Sequence, residues 1–318
     1  SALIKADHLL GFDEIPLQNS DPRNQDAVQL LGRPAGDGLI TIRETDRMLV
    51  LSCEQFTYVF NKLTGLFDKM TFANEPLLDQ PMGFNVWRAP TDNDRKLKAD
   101  WYAAHYDHAA TNAYHTEYTV TASGVTLHTH VGIAAICVQK FLDLDVTWTV
   151  ANNGSVDLAL HAQRNTVFPE LPRFGLRLFL PQEMSQVNYY GMGPMECYCD
   201  KHHAASHNSY TATVWQLHED YIRPQENGSH FDCDYVMLAG DAVRLTAVGT
   251  QPFSFNASHY TQEELTRKAH NYELEPCSST VLCLDYAQNG IGSESCGPRL
   301  LEQYRLDDAT FNFGLRLF

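Results

Sequence analysis

Leu142-Asp143-Leu144-Asp145-Val146-Thr147-Trp148-Thr149-Val150 alternates apolar and polar side chains along its whole length. Successive side chains of a β-strand point to opposite faces, so this period of two predicts a strand with one buried face and one wet face. The end of the chain repeats the pattern, because apolar residues from Phe311 to Leu317 alternate with Asn312, Gly314 and Arg316. Both stretches indicate an all-β fold.

Turn signals between such runs predict hairpins. One hairpin joins Glu54–Phe60 through the turn Asn61–Gly65 to a strand that starts at Leu66, and another turns at Ala122-Ser123-Gly124. Helix signals are few, and the clearest is the capping box Thr261-Gln-Glu-Glu264, which opens a short helix toward His270. Many strands with short turns predict a large sandwich or a pair of stacked sheets.

Composition restricts the function classes. The chain has 318 residues, 44% of them hydrophobic, so a core is available, and its formal net charge is -16. This charge argues against a nucleic-acid or anionic-membrane partner, because both require a positive surface. No stretch reaches the roughly 20 apolar residues that span a bilayer. The eight cysteines follow no framework spacing, and without a secretion signal we expect reduced thiols in a cytoplasmic protein.

The first residues have a different character from the rest. Residues Ser1–Gln18 have the character of a tail taken from a preceding domain, and Asn19–Gln25 is a polar linker. A second break at Arg33–Gly38 places the start of the main domain close after it. We therefore expect a tail and linker over residues 1–37 and one large domain over 38–318. The absence of an initiator Met favours a fragment of a longer polypeptide.

The stretch Asn85–Asp94 concentrates groups that are costly to leave unpaired. Pro90 fixes its own backbone, and Asp92 and Asp94 are turn formers. Arg88 offers a planar fork of donors that two of the carboxylates could hold. The stretch indicates either a rigid loop that carries polar groups to a functional surface or a plain turn stapled by its own side chains.

Cys197-Tyr198-Cys199 with His202 and His203 is the one cluster similar to a metal site. Structural zinc sites favour two to four residues between cysteines, whereas one residue separates them here. Small buried thiols beside surface histidines are the simpler interpretation.

Three further loops carry polar groups. Gly191–Glu196 is not a nucleotide-binding loop, and Glu196 is a plausible polar anchor in it. Gln225–Gly228 has the composition of a tight turn that could present Glu226 to a ligand. Gly290–Pro298 is a second rigid loop, with small residues that allow close approach to a ligand. No nucleophile elbow, and no carboxylate pair for glycoside hydrolysis, stands out along the chain.

Taken in order, these loops resemble one family. The motifs are Asn85-Val-Trp-Arg-Ala-Pro-Thr-Asp-Asn-Asp94, Gly191-Met-Gly-Pro-Met-Glu196, Pro224-Gln-Glu-Asn-Gly228, Phe255-Asn-Ala-Ser-His-Tyr-Thr-Gln-Glu-Glu-Leu265 and Gly290-Ile-Gly-Ser-Glu-Ser-Cys-Gly-Pro298. From about residue 40 to the end, the chain closely resembles the C-terminal, small-chain domain of bacterial β-galactosidases of glycoside hydrolase family two.

The resemblance implies a large β-supersandwich of galactose-mutarotase type with few short helices. It also implies that the catalytic glutamates, with the magnesium and sodium sites, lie in a (β/α)8 barrel that this chain lacks. We therefore expect no catalytic residue, metal or cofactor in this chain, and no lactose hydrolysis by it alone. The expected partners are the remaining domains or the large subunit of an oligomeric enzyme, and a galactoside substrate.

The resemblance also implies site residues. The loop that contains Cys296 supplies a side chain at the aglycone position, where some members have a stacking Trp. Lys96 stands where relatives with a mobile loop have Gly, so a switch at Arg95–Lys98 is doubtful. The expected substrate-binding residues are Cys296, Ser295, Asn93 and Asp94, and the expected scaffold residues are Arg88, Asp92, Glu196 and Glu226.

Two alternatives remain open. One is a stand-alone epimerase of mutarotase type on the same fold, with His230 or His259 as base and Glu226 as acid. The other is a non-catalytic module that binds carbohydrate or is purely structural.

Overall fold

The structure is a computed structural model that describes residues 4, 5, 7, 8, 11–15, 32, 36, 38–292 and 296–318. Most of the expected tail and linker over 1–37 lies outside these residues, and so does Ser295. The boundary after residue 37 therefore stays a prediction.

Strands dominate the described chain, so the prediction of an all-β fold with few short helices is confirmed. The strands are β1 Thr41–Glu44, β2 Met48–Ser52, β3 Phe56–Asn61, β4 Leu66–Phe72, β5 Glu75–Pro76, β6 Gln80–Asn85, β7 Ala110–Thr121, β8 Gly124–Ala134, β9 Leu142–Ala151, β10 Val156–Arg164, β11 Arg173–Pro181, β12 Gln186–Gly193, β13 Ser206–Thr213, β14 Ser229–Ala239, β15 Arg244–Ser258, β16 Ser279–Gln288 and β17 Thr310–Leu317. The α-helices are Leu97–Ala103 and Gln262–Arg267, and the 3-10 helices are Asp92–Arg95, Tyr106–His108, Val214–Leu217, Asn271–Glu273 and Glu302–Tyr304.

The strands form two antiparallel sheets. The smaller sheet has the order β1-β2-β3-β4-β5. The larger one follows β13-β12-β14-β15-β17-β10-β9-β8-β7, and a branch from β15 continues through β16 and β11 to β6. The ladders between the described strands are all antiparallel, so hairpins and other antiparallel connections build the sheets.

Strand β9 has one buried face, as its alternation predicted, and Trp148 on this face contacts the small sheet. Its apolar residues Leu142, Leu144, Val146, Trp148 and Val150 are all at most 2% exposed. The Trp148 indole nitrogen donates to the Gly65 carbonyl oxygen at 3.0 Å, and the Phe67 ring packs edge-on to it at 5.3 Å. Gly65 and Phe67 belong to the β3–β4 hairpin, so this tryptophan fastens the small sheet to the large one.

Both predicted hairpins are present, as β3–β4 and β7–β8. The predicted helix begins where its capping box lies, because the Thr261 hydroxyl accepts from the Glu264 backbone N–H. It ends at Arg267, where Lys268 takes extended geometry, and so does not reach His270. With seven residues, Leu97–Ala103 is the longest described helix, and no described helix has the length and apolarity to cross a bilayer.

The branch of the large sheet positions the loops discussed below. Strands β6 and β16 both pair antiparallel to β11, so they run in the same direction. Their C-terminal residues, Asn85 and Gln288, therefore lie at the same end of the strands. The two rigid loops that the sequence singled out, Asn85–Asp94 and Gly290–Pro298, start there side by side.

Candidate functional site

Arg88 organises the first loop from inside. Its side chain is fully buried, and it holds Asp94 with two hydrogen bonds, Nη2 to Oδ1 at 2.7 Å and Nε to Oδ2 at 3.2 Å. Asp94 Oδ2 also accepts from the Thr91 backbone N–H at 2.8 Å. The expectation that two carboxylates hold Arg88 is wrong. Asp94 alone does so, because Asp92 points outward and is exposed.

The remaining donors of Arg88 reach the second loop. Nη1 donates to the Asn289 carbonyl oxygen, and Nη2 donates to that of Gly290 at 3.1 Å. The Asn93 amide nitrogen donates to the Ile291 carbonyl oxygen at 2.6 Å. Two segments almost 200 residues apart in sequence are thus joined by direct hydrogen bonds.

Asp200 also fixes the start of the second loop. Its Oδ1 accepts from the Ile291 N–H at 3.0 Å, and its Oδ2 accepts from the Gly292 N–H at 2.7 Å. A Cβ on Gly290 would lie 2.7 Å from Asp200 Oδ2, so only glycine lets the backbone pass this close. The sequence analysis did not select Asp200. The Gly-Ile-Gly spacing was the available signal that something approaches this backbone.

Glu226 belongs to a buried charge cluster with Arg173 and Asp285. Arg173 Nη1 lies 2.6 Å from Glu226 Oε1, and Nη2 lies 2.6 Å from Asp285 Oδ2. Burial alone would lower the pKa of Arg173, but the two carboxylates raise it. Burial raises the pKa of Asp285 to about 6, against the opposing effect of Arg173. Glu226 also accepts from the Ala89 N–H at 3.2 Å, so the cluster supports the first loop.

The sequence analysis missed Arg173 and Asp285. Each lies in a mostly apolar strand, and no local pattern distinguishes it from a surface charge.

Glu196, expected to be a scaffold residue, anchors the neighbouring turn. Its carboxylate accepts from the Lys201 ammonium at 2.6 Å, from the Tyr221 hydroxyl and from the Gly228 N–H at 2.9 Å. Burial acts to raise the pKa of Glu196, but the hydrogen bonds from Lys201 and Tyr221 outweigh it and lower the pKa. The residue is therefore an ionised structural anchor.

These loops enclose a pocket of about 310 Å³. Its lining includes Asp92, Asn93, Asp200, Lys201, Tyr221 and Ile291. Asn93, expected to bind substrate, faces the pocket, and so does Asp92, which was expected to be scaffold. Asp94, expected to bind substrate, is only 3% exposed and is occupied by Arg88 and Thr91. In the structure Asp94 therefore stabilises the first loop.

Cys296, farther along in the sequence of the second loop, is exposed. Ser295 lies outside the described residues. The segment after Asp94 is a 3-10 helix, Asp92–Arg95, followed by the helix Leu97–Ala103. Lys96 and Lys98 thus belong to helical structure, or to the junction between helices.

His230 and His259, the candidate bases of the epimerase alternative, form no hydrogen bond with Glu226 among the described contacts. His230 Nδ1 lies 3.2 Å from the Met192 carbonyl oxygen, and the ring packs against Phe255. Burial lowers the pKa of His230 to about 4. His259 packs against Trp215. Both oxygens of Glu226 are already engaged by Arg173 and Ala89, which leaves this carboxyl poorly suited to act as an acid.

The cysteine and histidine cluster has the geometry of separate buried thiols. Cys197 Sγ donates to the Met192 carbonyl oxygen at 3.3 Å, whereas Cys199 Sγ donates to that of Gln288 at 3.7 Å. Burial raises the pKa of Cys197 to about 11 and that of Cys199 to about 12. Across the described chain, no group of three or more His, Cys, Asp or Glu residues is arranged to hold a metal ion.

Comparison with known proteins gives a family match over most of the chain. The family model described as "Beta galactosidase small chain" matches residues 52–317. A β-galactosidase from Actinobacillus pleuropneumoniae is 40% identical over 97% of this chain, and one from Staphylococcus xylosus is 35% identical over 97%. The chain spans about 30% of the length of these relatives.

Solved structures show a weaker likeness. A galactose mutarotase-like protein from Lactobacillus casei has a TM-score of 0.43 and 11% identity, over 85% of this chain and 99% of that one. A putative mutarotase from Salmonella typhimurium also has a TM-score of 0.43, with 10% identity, over 92% of this chain and 98% of that one. At this level of similarity, no functional inference is drawn from them.

Proposed function

This chain belongs to the β-galactosidase small chain family, and we propose from that premise that it forms one wall of a β-galactosidase active site. In this proposal the complete enzyme belongs to glycoside hydrolase family two, acts in the cytoplasm and hydrolyses terminal β-D-galactosides such as lactose. The chain supplies the aglycone side of the pocket.

The catalytic groups lie elsewhere in this proposal, in a (β/α)8 barrel that also carries the magnesium and sodium sites. The state of the acidic residues here supports that division. Glu196 and Glu226 are both engaged in structural hydrogen bonds, and Asp94 is buried against Arg88. A general acid or nucleophile needs a carboxylate that is free to act on the substrate, and these three are held by other groups of the chain. The barrel domain, as the rest of one polypeptide or as a large subunit of an oligomer, is the proposed partner.

The contact between Asn93 and Ile291 carries the proposal. It brings the start of the loop that leads to Cys296 against the loop that carries Asn93 and Asp92, on one pocket. An amide and a carboxylate at such a surface can accept and donate hydrogen bonds to sugar hydroxyls. The shared pocket is what an active-site wall built from these two motifs requires.

Cys296 gives the proposal a specific consequence. Relatives with Trp at this place have an aromatic face for the sugar acceptor, and a good aromatic contact is worth about 0.5–1.5 kcal/mol beyond its buried area. Cysteine offers no such face. We therefore propose weaker, or differently oriented, binding of the leaving or accepting sugar, with Ser295 beside it in the same loop.

The test is Cys296→Trp in the enzyme assembled with its barrel-bearing polypeptide. The ratio of transglycosylation to hydrolysis of lactose is expected to rise, because the acceptor sugar gains a stacking surface. Cys137→Trp, at another exposed cysteine, is the matched control and is expected to leave the ratio unchanged. An unchanged ratio in Cys296→Trp would remove this residue from the pocket wall.

A further inference from the structure

A second cavity opens where the ladder between β14 and β15 is interrupted. The pairing runs through His230↔Phe255, resumes at Cys233↔Phe253 and then moves to Tyr235↔Val248. Phe231 and Asp232 are left out on β14, and Asp232 takes a left-handed backbone with φ 52°. Bulges and non-glycine residues in this conformation are costly and are concentrated at functional sites.

Strand β16 separates from β15 at the same level. Its pairing with β15 ends at Ser254↔Asp285, although it continues along β11 to Gln288. Pro252, which has no N–H to offer a ladder, lies in the gap. The opening has a volume of about 260 Å³, and its lining shares no residue with that of the candidate active-site pocket.

Gln288 lines this cavity, and its side chain carries a buried acceptor without a partner. The residue is 7% exposed, and its Nε2 donates to Ser229 Oγ at 3.0 Å and to Asp285 Oδ2 at 3.3 Å. Its Oε1 is buried and has no hydrogen-bond partner. Asp285 is a carboxylate held by Arg173, so it can only accept a hydrogen bond from Gln288. The amide NH2 of Gln288 must therefore face Asp285, and the amide oxygen is the atom without a partner.

The remaining walls combine aromatic rings with polar groups. Phe231, Phe253 and Tyr286 supply apolar faces, and Asp232 and Ser254 supply oxygen atoms. Oxygen acceptors beside aromatic rings suit a molecule with hydroxyl donors and an apolar face. The nearby Asp232 carboxylate and the negative net charge disfavour an anion.

We propose that this cavity is a binding site for a small neutral polyhydroxylated molecule, the size of a single sugar ring. The cavity has the volume of roughly nine water molecules at about 30 Å³ each. It is smaller than the ligand pockets of about 300–1,000 Å³ that hold larger molecules, so an oligosaccharide does not fit. The proposal stands apart from the proposed function, since it concerns this chain alone and a different set of residues.

The experiment is an NMR titration of the isotope-labelled chain with galactose and, separately, glucose. The expected result is saturable shifts at the backbone amides of Phe231, Asp232 and Tyr286, with Kd in the millimolar range, about -4 kcal/mol. Glycerol and sodium chloride are the comparison arms, and each is expected to shift these amides weakly or not at all. Stronger binding of either than of the sugars would overturn the assignment of ligand class.

Two variants test the site. Gln288→Met removes the unpartnered acceptor, and Asp232→Asn removes a carboxylate while keeping a residue that tolerates the left-handed backbone. Each is expected to weaken sugar binding about tenfold. Gln163→Met, at an exposed glutamine on β10, is the matched control and is expected to bind like the unaltered chain.

Three outcomes would overturn the proposal. The first is no saturable shift up to about 100 mM sugar, which is well above a millimolar Kd. The second is a set of shifts confined to Asn93 and Ile291, which would assign the sugar to the other pocket. The third is unchanged affinity in Asp232→Asn together with unchanged affinity in a folded Gln288→Met.

Discussion

Arg88 and Asp94, six residues apart in one loop, form a buried pair with two hydrogen bonds, and the same guanidinium binds the Asn289 and Gly290 carbonyl groups. One side chain thus fixes the shape of the first loop and its distance from the second. The pocket depends on this arrangement, because Asn93 and Ile291 meet only if both loops hold their positions.

Replacing Arg88 by Met is expected to destabilise the chain by about 3–5 kcal/mol, because Asp94 is left as an uncompensated buried charge. Urea unfolding measures the loss. The control is Arg316→Met, since Arg316 also binds a carboxylate, that of Asp157, with two hydrogen bonds but on a partly exposed sheet face. That control is expected to cost less than about 1 kcal/mol. Equal losses would contradict the structural role assigned to Arg88.

Asp200→Ala is expected to speed hydrogen exchange at the amides of Ile291 and Gly292. These two N–H groups donate to the Asp200 carboxylate, and without it water replaces the acceptor. Exchange followed by NMR reports each amide separately. The Asn289 amide donates to the Pro172 carbonyl oxygen and is the internal control, expected to change little. Unaltered exchange at Ile291 and Gly292 would show that Asp200 does not hold the loop.

The strands could be predicted from sequence because burial on one face of a sheet enforces a period of two. Trp148 and its neighbours in β9 follow that rule, and so do Phe311 and Phe313 in β17. The division into a small and a large sheet could not be predicted in this way. It depends on which distant strands pair, as when β10 lies between β9 and β17. A single strand's pattern contains no information about its partner.

The candidate site was predictable only in part, for a related reason. The link between Arg88 and Asp94 lies within one stretch of the chain, so the residues that could pair were visible together. Arg173, Glu226 and Asp285 come from three separate segments, and nothing local distinguishes a buried arginine from an exposed one. Asp94 was expected to bind substrate because it belongs to the family motif. In the structure Asp94 is buried and paired with Arg88 instead.

His230 is expected to make stability depend on acid. Burial lowers the pKa of His230 in the folded chain from 6.5 to about 4. Between these two pH values the histidine is protonated in the unfolded chain but neutral in the folded chain. Stability contributed by neutral His230 is present above about pH 6.5 and falls as pH drops toward about 4.

His230→Phe keeps a ring against Tyr189 and Phe255 and removes this titration. Unfolding free energies at pH 7 and pH 4.5 are compared for both proteins. The unaltered chain is expected to lose on the order of 2 kcal/mol more than the variant over this interval. Parallel losses would show that His230 does not carry a lowered pKa.

Asp285 is expected to titrate near pH 6, because burial raises its pKa from 3.8 and Arg173 only partly offsets this. The folded chain then holds a proton that the unfolded chain releases, so this group's contribution to stability falls as pH rises from about 4 to about 6. That sign is opposite to the effect of His230, and the two partly cancel in the total.

A site-specific measurement is therefore required, namely the carboxyl ¹³C shift of Asp285 against pH. Asp285→Asn identifies the resonance by its disappearance. A midpoint close to the ordinary Asp value would mean that Arg173 offsets the burial completely.

Hydrolysis of a chromogenic β-galactoside, measured with the purified chain alone and after assembly with its barrel-bearing polypeptide, tests the division of labour most directly. The account predicts no cleavage above the spontaneous rate by the chain alone, and full activity only when both parts are present. Cleavage by the chain without the barrel would contradict it, because the proposal places both catalytic carboxylates in that barrel.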